Sequence, residues 1–221
     1  MARLVAAGAE LERAARGERI ERHHHEGAYA ALVLRGGYVE AGDRGRVRAE
    51  AASVLFHDAF EGHFDSIGAS GADILNLPLL AVPDYAVGTC ADPDAVARLA
   101  LEDPAAAARL LIETTTPVAP AAADWPDLLA AELPQTPLLR LDRWGADHGL
   151  TSYAVSRGFA LAYGVSPKRY RLEQRAAAAA RAICGGAMLS DAAFAAGFAD
   201  QPHMTRAVSA LFGRPPQQLR S

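Results

Sequence analysis

Two cysteines in 221 residues, Cys90 and Cys184, exclude a disulfide framework, and neither has the CxxC spacing of a zinc site. Long apolar runs are missing too: no stretch approaches the roughly twenty residues that a membrane-crossing helix needs. Near the N-terminus Glu10 and Glu12 interrupt any secretory-signal pattern. These absences point to a cytoplasmic protein without a membrane partner. Net charge is small, −4, but it is unevenly spread. Residues 138–221 hold eleven Lys and Arg against five Asp and Glu, a balance of +6, whereas the other 137 residues hold eleven against twenty-one, or −10. A basic third joined to an acidic remainder fits a polyanion-facing module with a partner domain that avoids polyanions.

The chain has room for one large domain or two small ones. Its first segment, up to about Arg16, is Ala-rich with Leu4 and Leu11 among charges, and reads as a helix. From Arg19 to Leu80, short apolar runs are separated by Gly, Asp and Glu at the spacing of a small antiparallel barrel or sandwich. Gly36-Gly37 and Gly42-Asp43 are its clearest turn signals. Asp92 to Glu113 reads as two helices, N-capped by Asp92 and Asp103 with Pro93 and Pro104 in the first helical position. The proline-rich residues 114–137 read as a linker holding a short amphipathic helix around Trp125 to Leu133. Everything after Pro137 reads as helical. The expected domains are residues 1–90, a helical bridge and linker over 91–137, and an all-α domain over 138–221.

The helical third contains a repeat. "SRGFALAYGVSPKRYR" (156–171) and "TRAVSALFGRPPQQLR" (205–220) align without a gap at an offset of 49 residues. A glycine turn precedes each copy, at Gly149 and at Gly197, and a short helix precedes each turn. That order outlines two helix-turn-helix units. In each, a small residue (Gly145, Ala193) lets the two helices cross closely, and the turn glycine takes a positive φ. The second helices should bury Val155 and Phe159, or Met204 and Val208. Their open faces then show Tyr153, Ser156 and Arg157 in the first unit, and Gln201, Pro202, His203, Thr205 and Arg206 in the second. Such side chains bond base edges and phosphates, and a helix N-terminus favours a phosphate. Between the units, "PKRYRLEQRAAAAARAIC" should form a helix of about 18 residues, roughly 27 Å, which would hold the recognition helices about one DNA turn apart. Lys168, Arg169, Arg171 and Arg175 lie along it.

On these residues the segment 138–220 resembles the DNA-binding domain of the AraC/XylS family of transcriptional regulators. "LSDAAFAAGFADQPHMTRAVSALFGRPPQQLR" follows the family's second-unit pattern of Ala, Gly-Phe, Asp-Gln, Arg, Phe-Gly, Pro and a final Arg. Met204, Val208, Pro215, Leu219 and Gly145 depart from the usual residues at packing positions, and Pro202 removes one polar side chain. The resemblance implies contacts to double-stranded DNA from Tyr153, Ser156, Arg157, Lys168, Arg169, Gln201, His203, Thr205 and Arg206. It also implies a homodimer, a contact with RNA polymerase and a small-molecule effector.

Upstream, Gly17, His23, His25, Tyr29 and Gly36 resemble the first cupin motif, with Tyr29 where a metal-binding Glu is usual, and His63 resembles the second motif's histidine. The fold class expected is therefore α+β, a cupin-like antiparallel β-barrel followed by two helix-turn-helix units joined by a long helix. His23, His25 and His63 would form a three-nitrogen metal site. Tyr29 removes the carboxylate, however, and His57 replaces the second motif's proline, so no metal or other cofactor is expected. His25, Tyr29 and His63 are instead expected to meet an organic effector in a lining of Ala31, Val33, Leu55 and Phe64, with His24 facing away. The reading is a sequence-specific regulator without catalytic activity. Its rivals are a metal-dependent cupin enzyme with a helical appendage, and an adaptor whose helical bundle binds only protein.

Overall fold

A computed structural model describes residues 2–6, 8–119, 123–136 and 138–220. The chain is α+β. Its first half is an antiparallel sheet of nine strands: β1 (Ala2–Ala6), β2 (Ala9–Ala14), β3 (Arg19–His24), β4 (Tyr29–Gly42), β5 (Gly45–Glu50), β6 (Ser53–His57), β7 (Gly62–Pro78), β8 (Val87–Cys90) and β9 (Thr115–Pro117). The long strands β4 and β7 pair along most of their length, and each changes its second partner on the way. β4 pairs first with β6 and then with β5, while β7 pairs first with β3 and then with β2. Register shifts interrupt the β4–β7 ladder between Val33 and Arg35 and between Gly36 and Tyr38. Such bulges bend a strand, and the sheet curls around Tyr29, Ala31, Val33, Tyr38, Leu55, Ile67 and Ile74.

Residues alternate faces along a strand, so Ala30, Leu32, Val54, Phe56, Leu75 and Leu77 point out of the curl. There they meet Val96, Ala100, Ala107 and Leu111 from α1 (Pro93–Ala100) and α2 (Pro104–Thr114). Both helices start as the sequence predicts: Asp92 accepts from the Ala95 amide and Asp103 from the Ala106 amide, each at 2.9 Å, with proline following.

Two expectations are corrected. The Ala-rich N-terminal segment is not a helix but β1 and β2, with β2 laid against Ala72–Asn76 of β7. The open ladder of β7 offers that segment hydrogen bonds and an apolar face, which outweigh the modest helix preference of alanine. The start of the proline-rich segment is also strand: Thr115–Pro117 extends the sheet beside β8.

The helical part comprises α3 (Trp125–Gln135), α4 (Leu141–Asp147), α5 (Ser152–Tyr163), α6 (Pro167–Cys184), α7 (Leu189–Ala195) and α8 (Gln201–Phe212), closed by a 3₁₀ turn at Pro216–Arg220. Ser166 caps α6, accepting from the Arg169 amide at 3.3 Å. This helix is the axis of the region. Tyr170 faces a core of Leu129, Leu133, Trp144, Val155, Phe159 and Tyr163, while Ala176, Ala179, Ala180 and Ile183 face Ala193, Met204 and Val208.

Sheet and helices share both of these cores. Ala41 and Phe64 enter the one around Tyr170, and Phe60 enters the one around Ile183. Phe64, expected in the barrel lining, therefore faces the other way, against the α5–α6 turn. Between the cores, Arg22 of β3 is buried with 1% of its side chain exposed. It donates to Glu173 of α6 at 2.9 Å, to the Ala41 carbonyl at 3.2 Å and to Asp43, and its guanidinium lies 4.8 Å from the centre of the Tyr170 ring. Burial opposes its charge, but Asp43, Tyr170 and Glu173 outweigh burial and raise its pKa.

Candidate nucleic-acid interface

The two helix-turn-helix units are built alike. Gly149 and Gly197 end the first helices with φ of +68° and +73°, where a side chain would be strained. Just beyond them, the Leu150 amide donates to the Gly145 carbonyl at 2.8 Å and the Phe198 amide to the Ala193 carbonyl at 2.9 Å. A Cβ on Gly145 would lie 2.9 Å from Val155 Cγ2, so the helices of the first unit cross more closely than a side chain there would allow without a shift. Thr151 caps α5, accepting from the Ala154 amide at 3.2 Å, and Asp200 caps α8, accepting from the His203 amide at 2.7 Å. Counted from the turn glycine, the second cap falls one residue later, so the second turn is longer by Ala199.

Val155, Phe159, Met204 and Val208 are fully buried. Tyr153, Ser156, Arg157, Gln201, Pro202, His203 and Arg206 are exposed, while Thr205 is half-buried. Arg157 donates to the Tyr153 hydroxyl at 2.7 Å, so the two present one joined surface. His203 sits edge-on to Phe198 at 5.2 Å between ring centres. On α6, Lys168 is exposed. Arg169 is tied to Glu173 at 2.5 Å and Arg171 to the Leu139 carbonyl at 3.1 Å. The tie to Glu173 leaves Arg169 less free for a phosphate than its position in the sequence suggested.

The histidines converge as expected. Donor atoms of His23, His25 and His63 lie within 4.8 Å of one another, an arrangement that could hold a metal ion. They line a cavity of about 30 Å³ together with Tyr29, Glu40 and Asp65. That is room for a water or an ion, and too little for an organic effector in this conformation. Both nitrogens of His63 are committed, Nε2 to the Tyr29 hydroxyl at 2.9 Å and Nδ1 to Asp65 at 3.1 Å. Burial opposes the His63 charge, but Glu40 and Asp65 outweigh it and push the imidazole pKa up. Burial also raises the Glu40 carboxyl and holds His57 well down. His24 faces away, as expected, and packs edge-on against Phe212 of α8 at 5.9 Å between ring centres. No local pattern marks Glu40, Asp65 or Arg22, because their partners arrive from strands and helices distant in the chain.

Residues 144–221 match the family model of a helix-turn-helix domain. No curated protein sequence matches the chain. Among solved structures, ToxT from Vibrio cholerae with a bound unsaturated fatty acid is 8% identical over 95% of this chain and 93% of its own, with a TM-score of 0.41. The C-terminal domain of the two-component response regulator yesN from Fusobacterium nucleatum is 18% identical over 42% of this chain and 95% of its own, with a TM-score of 0.38. A salicylate 1,2-dioxygenase mutant from Pseudoaminobacter salicylatoxidans is 14% identical over 31% of this chain, with a TM-score of 0.29, and the match spans only 20% of that enzyme. Among the described residues no helix is long and apolar enough to cross a membrane. With two capped units on one central helix and a family match over the same residues, segment 144–221 is a helix-turn-helix domain.

Proposed function

We propose that the chain is a sequence-specific, double-stranded-DNA-binding transcription regulator with no catalytic role, acting in the cytoplasm as a homodimer and answering a small-molecule effector. The paired exposed faces carry this reading. Tyr153, Ser156 and Arg157 on α5, and Gln201, His203, Thr205 and Arg206 on α8, stand at the open N-terminal halves of two equivalently capped helices. A contact with RNA polymerase belongs to the same reading. The test is a mobility shift with full-length protein and a selected DNA pool. Neutralising about six phosphates would cost roughly a thousandfold in affinity between 50 and 200 mM salt. No binding to any sequence in the pool would overturn the reading.

The convergence of His23, His25 and His63 favours a second reading, a metal-holding barrel. Elemental analysis after purification with added zinc or iron separates the two. About one metal per chain, lost in His63→Ala, would establish the second, and a substoichiometric content would retain the first.

A further inference from the structure

The sheet has a second, larger opening. β5 and β6 both pair with β4 but on different halves of it, so they diverge and leave a cleft of about 450 Å³. Its volume lies in the range of small-molecule sites. Tyr85, Val87 and Val118 give it apolar walls, while Leu55 and Phe56, each 2% exposed, lie behind them, with Phe56 edge-to-face to Tyr85 at 5.3 Å. Arg46 and Arg48 alternate along β5 and therefore share one strand face, Arg44 precedes the strand, and all three border the cleft.

These arginines differ in what already holds them. Arg44 donates to Glu61 at 2.7 Å, and Arg46 donates to Asp127 at 2.8 Å and to Asp124. Arg48 is exposed and has no ion-pair partner among the described residues. At the floor lie Glu40 and His57, each with 7% of its side chain exposed. Glu40 Oε2 faces His57 Nε2 at 3.5 Å and His63 Nδ1 at 3.5 Å, so the floor is closed by groups that pair with one another.

We propose that this cleft, rather than the histidine-lined cavity, is a binding site for an arylalkyl carboxylate, whose acid group is held by Arg48 and whose ring lies against Tyr85 and Val118. Charge selects the acid, since Arg48 is a free guanidinium and carboxylate is its bidentate partner. Tyr85, with Val118 beside the opening, favours the ring. Neighbouring Arg46 couples the cleft to the helices: Asp127, which holds Arg46, also accepts from the Tyr163 hydroxyl at 2.7 Å at the end of α5. An acid at this rim competes with Asp127 for Arg46 and so touches the first helix-turn-helix unit. Only this coupling rests on the regulator reading; occupancy of the cleft does not.

The experiment titrates full-length protein with acids from phenylacetate to 6-phenylhexanoate, with the matching primary alcohols as uncharged controls, by calorimetry and by thermal shift. Saturable binding of the acids, at least about tenfold tighter than of the alcohols, is expected. Arg48→Gln should erase that preference while leaving the melting temperature of the free protein unchanged. Val118→Trp, at a residue 48% exposed on the cleft wall, should block acids and alcohols alike. Equal affinity for acid and alcohol, or acid binding that survives both substitutions, would overturn the proposal. A mobility shift with and without the tightest acid reads the coupling separately. Binding without an effect on DNA removes the coupling and keeps the site.

Discussion

Arg206 stands on the N-terminal half of α8, exposed and without an ion-pair partner among the described residues, whereas Lys168 lies on the first turn of α6. A side chain reading a base edge and one resting on a phosphate fail differently when removed. Arg206→Ala should weaken binding to the selected site by about 1–3 kcal/mol while sparing random DNA. Lys168→Ala should weaken both about equally. Affinities on specific and random duplexes check the distinction. Within the barrel, Glu40 and His63 hold protons more tightly folded than unfolded: burial pushes the carboxyl to about 8, and Glu40 with Asp65, against burial, pushes the imidazole to about 9. Between the ordinary histidine value and about pH 9 the folded state binds more protons, so stability should fall as pH rises. His24 has the opposite sign. Burial and then Arg22 lower it to about 3, so its stabilisation is present above pH 6.5 and is lost as pH falls. Melting temperature should therefore peak near neutrality. In Glu40→Gln the alkaline limb should flatten.

Among the elements, α3 changes what counts as the DNA-binding unit. Leu129, Ala130 and Leu133 are buried against Trp144, Val155 and Phe159, and Trp144 Nε1 donates to Glu132 at 2.7 Å. A fragment beginning at residue 138 strips three buried apolar side chains from that core. It should lose several kcal/mol relative to one beginning at residue 123, and chemical denaturation of the two compares them directly. The sequence marked this helix but not its docking, since Trp125 and the leucines show an amphipathic stripe without naming what covers it. The helix-turn-helix units were legible because their signals are local: a glycine, a cap and an apolar spacing, each repeated. Asp92-Pro93 and Asp103-Pro104 were legible for the same reason. β1 and β2 were not, because their conformation is set by β7, more than 50 residues away in sequence. The cleft beside β5 was equally hidden, being a consequence of how two strands share a third.

For the whole molecule, Arg22 is the joint. Its side chain is 1% exposed, and those of Asp43 and Glu173 are 7% and 6% exposed. Removing one partner of such a group leaves charge buried and uncompensated, so Arg22→Met should destabilise the full chain by about 3–5 kcal/mol. Adding Glu173→Gln should restore part of that loss, because one stranded carboxylate is then gone. Thermal melts of the two variants decide it.

The same joint bears on ancestry. A regulator whose halves were loosely strung could trade its sensing half for another by recombination and keep working. Here a crossover falling anywhere between residues 43 and 173 would separate Arg22 and Asp43 from Glu173, and one falling between residues 64 and 124 would also part Phe60 and Phe64 from the helices that cover them. Chimaeras made at such a boundary should fold poorly unless Arg22, Asp43 and Glu173 come from the same parent, so the two halves must be inherited as a pair.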